Sequence, residues 1–161
     1  MLKLTSDLLF AERKEFKCST DLTTSGHEGM WVIPDASQSA GNYAIRPDAA
    51  DTYCLAYPIW NESFRHEAGM VSGAFAGTRG SSGFTGDVAK TGKITTLSGH
   101  FRALTDWFTG SPTIGQKLGV TTDGRLVVTS TANAVVAVCV KASHSITYLG
   151  QAYTVIEFET V

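Results

Sequence analysis

The chain is short of charge: Asp, Glu, Lys and Arg make up 17% of its 161 residues, against roughly 25% in an average soluble domain. Thirteen basic groups stand against 15 acidic ones, a formal net charge of -2. There is no basic surplus to neutralise phosphates, so no nucleic-acid partner is expected. Neither half is a charged tail, since residues 1–80 hold 7 basic and 10 acidic groups and residues 81–161 hold 6 and 5. Long apolar runs are missing as well. None approaches the roughly 18 residues of a membrane span. The opening Met1 to Phe10 is interrupted by Asp7 and followed by Glu12, Arg13, Lys14 and Glu15, which spoils a signal-peptide apolar region. No membrane partner is expected. Cysteine is sparse: Cys18, Cys54 and Cys139 are widely separated and form no CxxC pair, so they read as reduced thiols rather than a disulfide framework.

What is present is enough to fold. Apolar residues make up 43% and aromatics 10%, sufficient for a sizeable core, and the length matches one domain spanning residues 1–161. Twenty Thr, 14 Ser and 16 Gly favour strands and turns over helices.

The last third is the most regular. Lys117 to Thr121 and Arg125 to Ser130 are β-branched runs around Thr122-Asp123-Gly124, and Asp-Gly supplies the positive φ of a tight hairpin turn. Ala134 to Val140 reads as a strand buried on both faces, which makes Cys139 a core thiol and lets Lys141 reach solvent. Ile146 to Leu149, then Gly150-Gln151, then Tyr153 to Thr160 form a second hairpin, with Thr154, Ile156 and Phe158 alternating against Val155, Glu157 and Glu159. Lys93 to Leu97 and His100 to Thr105 are extended about a bend at Ser98-Gly99.

Earlier in the chain, Tyr53, Tyr57, Trp60 and Phe64 have helical spacing, but Pro58 stands where a helix needs an amide. A strand over Thr52 to Trp60, with Tyr53, Leu55, Tyr57 and Ile59 on one face and Pro58 at an edge or bulge, fits better. Eight glycines lie between Gly69 and Gly99, four of them every third residue from Gly77 to Gly86. The period is too short and too poor in proline for collagen, so residues 69–92 are expected to be a long Gly-rich loop region. Residues 1–16 fit either a helical turn through Asp7 to Phe16 capped by Thr5 or Ser6, or an extended arm.

Reactive chemistry has little to build on. His66-Glu67 lacks a second His four residues after His66, where Met70 stands, so the zinc-helix spacing fails. His27, His66, His100 and His144 are scattered singly. Gly86 to Ile94 mimics a phosphate loop, yet five residues rather than four separate its glycines and Ile94 replaces the hydroxyl that binds magnesium. Gly80-Ser81-Ser82-Gly83 lacks the spacing of a nucleophile elbow. No catalytic residue, cofactor site or metal site is therefore assigned, and the expectation is a protein that is not an enzyme.

Gly99 to Phe108, then Ile114 to Leu126 with its "G…L.V..DG.L" grammar, then the Val-rich run Val135 to Val140 and the terminal Ile156-Glu157-Phe158, together resemble the small β-barrel head decoration, or cement, proteins of tailed bacteriophages. The resemblance covers roughly the last 60 residues. It implies a homo-oligomer, a trimer rather than a dimer, on the outer surface of the virion capsid, bound to the major capsid protein and stabilising the head. The matching fold expectation is a single all-β domain, a β-barrel or β-sandwich, with an N-terminal arm and a long Gly-rich loop. Physical reasoning supplies the expected contacts: the arm offers Leu2, Leu4, Leu8, Leu9 and Phe10 as apolar anchors, and the loop, residues 76–87, offers Arg79 and Phe84. The alternative is a glycan-binding β-sandwich module using Trp31, Trp60 and Trp107 as stacking platforms, set against the simpler role of those indoles as core filling.

Overall fold

The computed structural model describes residues 2–5, 10–18, 22, 29–35, 37, 43–50, 52, 53, 55–60, 93–148 and 150–161. They form an all-β protein of two packed sheets. The strands are β1 (Leu2–Leu4), β2 (Phe10–Cys18), β3 (Trp31–Pro34), β4 (Tyr43–Ile45), β5 (Tyr57–Pro58), β6 (Lys93–His100), β7 (Arg102–Thr105), β8 (Lys117–Val120), β9 (Leu126–Val128), β10 (Ala137–Tyr148) and β11 (Gln151–Thr160), with a 3-10 turn at Ala132–Ala134.

One sheet has the order β1-β7-β11-β10-β8-β9 and the other β5-β3-β4-β2-β6. The second curls until its ends meet: Ile59 bridges Thr96 of β6, and the Trp60 amide donates to the Thr95 carbonyl at 2.8 Å. Period-2 alternation then gives each strand two faces to fill. Met30 and Val32 point into the curled sheet with Phe16, Ala44, Tyr57, Ile59 and Ile94. Trp31, between them, points the other way, into the core shared by the two sheets with Leu2, Leu97, Phe101, Leu118, Leu126, Ile156 and Phe158.

The chain passes between the sheets from β1 to β2 and again from β6 to β7, where Gly99 takes φ 92° at the bend. Thr160 of β11 fixes this corner. Its Oγ1 donates to the Gly99 carbonyl at 2.8 Å and accepts from the Phe101 amide at 2.9 Å, satisfying groups that the bend removes from the ladder.

The Asp123-Gly124 hairpin forms as the sequence predicts, with Leu118 opposite Val128 and Val120 opposite Leu126. The β10–β11 hairpin also forms, closing from Tyr148 opposite Gln151 back to Ala137 opposite Thr160. Two expectations change here. The Val-rich strand starts at Ala137 rather than Ala134 and does not stop near Lys141; register shifts at Cys139/Lys141 and Lys141/His144 let it bend and continue to Tyr148. The expected strand over Thr52 to Trp60 shrinks to Tyr57–Pro58, with Pro58 opposite Trp31.

At the start, residues 2–4 and 10–18 are extended rather than a helical turn, and they pair within the domain. β1 pairs with β7, Leu2 opposite Thr105, and β2 pairs along its length with β6, from Phe10 opposite His100 to Lys17 opposite Lys93. The Gly-rich loop region, residues 69–92, lies outside the described residues.

Candidate functional site

Of the expected contact residues, Leu2 is wholly buried in the core between the sheets, and Leu4 is half-buried against the same core. The reason is strand pairing: β1 alternates, and its inward side chain meets apolar partners already supplied by β7 and β11. Leu2 is therefore covered within its own chain rather than presented at the surface. Phe10 is placed by its backbone in β2. Leu8, Leu9, Arg79 and Phe84 lie outside the described residues.

The structure instead brings together a cleft of mixed polarity that sequence reasoning missed. Where the two sheets part, Leu55 and Tyr57 from the β5 side, Leu97 and Phe101 from the β6–β7 corner, Val136 and Val161 line a cleft of about 130 Å³. Leu55 is 55% exposed and Val161 71% exposed. Trp31 lies against the floor of the cleft, and its buried indole N–H has no hydrogen-bond partner among the described residues. Leu55 had been expected to share a strand face with Tyr57 and Ile59. It does not, because the strand begins only at Tyr57 and the preceding chain is free to turn Leu55 outward.

Beside the same corner lies a cluster of charge. Glu159 of β11 accepts from Arg102 of β7, at 2.7 Å from Nη2 and 3.1 Å from Nε, and its other oxygen lies 2.8 Å from His100 Nε2. The hydrogen bond from Arg102 holds the Glu159 carboxyl below the usual carboxylate range, against a smaller opposing push from burial. The same bond raises the Arg102 guanidinium. One residue pair along, Thr5 donates to Glu157 Oε1 at 2.8 Å, tying the end of β1 to β11. These groups bind one another across the ladder, the arrangement of a structural cross-strand pair rather than of an acid and base held ready for a substrate.

The three tryptophans separate. Trp31 and Trp60 are buried in the core between the sheets, which removes them as stacking platforms for a glycan. Trp107 is half-exposed, but Arg125 stacks over its ring at 4.2 Å and its indole N–H donates to the Asp123 carbonyl at 3.1 Å. Among the described residues no three metal-ligating side chains of the His, Cys, Asp and Glu types converge, and no helix is long and apolar enough to cross a membrane.

No family model, curated protein or solved structure matches the chain.

Proposed function

We propose that the chain is a virion structural protein that sits on the outside of a tailed-phage head, binds the major capsid protein and stabilises the shell. The observation that carries the reading is topological. The segments that resemble head decoration proteins, around β7, β8, β9, β10 and β11, follow one another along the last part of the chain and join in one sheet with β1, so the shared grammar falls on a single structural unit. The cleft is the surface proposed to meet the capsid. Two exposed large apolar residues, Leu55 and Val161, share one concave surface, a shape that can seat a side chain of a partner. A cleft of about 130 Å³ accommodates one inserted apolar side chain of a capsid subunit.

The test is co-sedimentation with shells assembled from the major capsid protein encoded beside this chain. The unmodified protein is expected to pellet with the shells in saturable amounts. A Leu55→Asp/Val161→Asp variant, altered only at exposed positions, should keep its fold and remain in the supernatant. An unmodified protein that never pellets removes the decoration reading; a variant that pellets equally well removes the cleft as the contact. The glycan-binding alternative now rests on Trp107 alone, and no observation favours it.

A further inference from the structure

We propose that the outer edge of β10, residues 144–148, pairs with the same edge of a second copy of this chain, joining two molecules by an antiparallel strand contact across a two-fold axis. The inference does not depend on the capsid reading.

β10 is much longer than the neighbour on its β8 side. Ala137 and Val138 pair with Leu118 and Lys117, and Cys139 exchanges bonds with Gly115 and Gln116 at 2.8 and 2.9 Å. Past that point β10 pairs only with β11, from His144 opposite Val155 to Tyr148 opposite Gln151. The bulges near Lys141, and the His144 ring nitrogen 2.9 Å from the Ala142 carbonyl, occupy the stretch up to residue 143. Among the described residues, the backbone from 144 to 148 has no partner on its other side. Unpaired strand edges recruit other strands, and proteins ordinarily blunt them with charge, proline or a covering segment.

Several other edges among the described strands are blunted in those ways, although β11 pairs with β7 only from Ile156 to Glu159. β9 is covered by the segment after Trp107: the Thr109 amide donates to the Leu126 carbonyl at 2.9 Å and Phe108 bridges Leu126. β5 and β6 close on each other through Ile59 and Thr96. β1 carries Lys3. Among the described residues the β10 edge has none of these devices. From Ala142 to Ile156 the sequence holds no Asp, Glu, Lys, Arg or Pro, and 144–148 reads His-Ser-Ile-Thr-Tyr, rich in residues that favour strands.

The absence of charge is what selects a second copy as the occupant. In a two-fold antiparallel pair each residue meets one from its own strand, so any ionised side chain would face its like or lie beside it. This edge can pair with itself in any register without that repulsion. Centring the axis on Ile146 places Ser145 opposite Thr147 of the second copy and Ile146 opposite itself. Ile146 already packs with Leu104, Val155 and Tyr153 on the sheet face turned away from the main core, so the contact would extend that apolar stripe across both molecules. Five residues make a small interface, and association in the micromolar range is expected. The contact is isologous and separate from the three-fold association implied by the resemblance.

Sedimentation velocity over a concentration series up to about 100 μM tests this. The unmodified chain should show dimers that dissociate on dilution. Ser145→Lys/Thr147→Lys, altered at two exposed positions, places like charges opposite one another twice and should raise the dissociation constant about tenfold or more. Ser145→Lys/Thr147→Glu places opposite charges there and should restore the dimer. Hydrogen exchange of the unmodified chain gives a second reading, with amides in 144–148 gaining protection as concentration rises. A monomer throughout, or an oligomer indifferent to both double variants and to concentration at these amides, would overturn the proposal.

Discussion

Gly124 serves two purposes at once. It takes φ 67° to close the β8–β9 turn, and its carbonyl accepts from the Trp31 amide at 2.9 Å, which brings the hairpin tip against β3 of the other sheet. A Cβ there would overlap the Trp31 carbonyl oxygen and come 2.7 Å from Met30 Cγ. Gly124→Ala is therefore expected to cost more than the roughly 1–3 kcal/mol of a strained backbone alone, read as a lower urea midpoint. Asp-Gly marked the turn in the sequence, but nothing there marked the contact with Trp31, because it joins residues about ninety positions apart. Cys139 is buried, and burial pushes its thiol up from the ordinary range, against a weaker lowering by a backbone hydrogen bond with Lys141. Alkylation of native protein should label Cys139 only on the timescale of unfolding; rapid native labelling would contradict its place in β10. Glu159 carries a pH dependence. Its folded carboxyl is held below the unfolded value, so the unfolded chain binds the proton more tightly. The stabilisation is complete above the ordinary glutamate range near about pH 4.3 and is lost as pH falls through the lower folded value. Glu159→Gln should flatten the acid limb of the melting temperature against pH.

At the scale of elements, the sequence was most informative where contacts are local. The β8–β9 and β10–β11 hairpins have short turns with glycine in place, and both pairings were legible from alternation and turn chemistry. The bend at Gly99 was legible too. Long-range pairings were not. Leu2, Leu4 and Phe10 were read as an arm because β1 and β2 find their partners, β7 and β6, more than eighty residues later, and a lone apolar run cannot reveal such a partner. β1 makes a direct prediction. Leu2→Ala should destabilise the protein by about 2–5 kcal/mol, the cost of emptying a fully buried leucine site, measured by chemical denaturation. A loss near zero would restore the arm as a free anchor. The cleft was illegible for the same reason. Leu55, Leu97, Phe101, Val136 and Val161 converge only because β6 crosses between the sheets, and no spacing within any one segment advertises them.

Across the whole molecule, two cores share strands. β3 sends Val32 into the curled sheet and Trp31 into the space between sheets, so each sheet's order depends on the other. Trp31 lies 5.7 Å from Phe158, and Phe158 lies 6.1 Å from Phe101 at the corner. These tilted and edge-to-face rings connect the corner, the cleft and the β10–β11 hairpin. The proposed cement role asks the scaffold to hold neighbouring subunits in place, with the cleft at the corner as the proposed contact. The most direct measurement of that claim is the disruption temperature of capsid shells with and without the bound chain. Saturating amounts are expected to raise the temperature at which shells release their subunits, and the Leu55→Asp/Val161→Asp variant to leave it unchanged. Shells that bind the chain yet come apart at the same temperature would contradict a stabilising role.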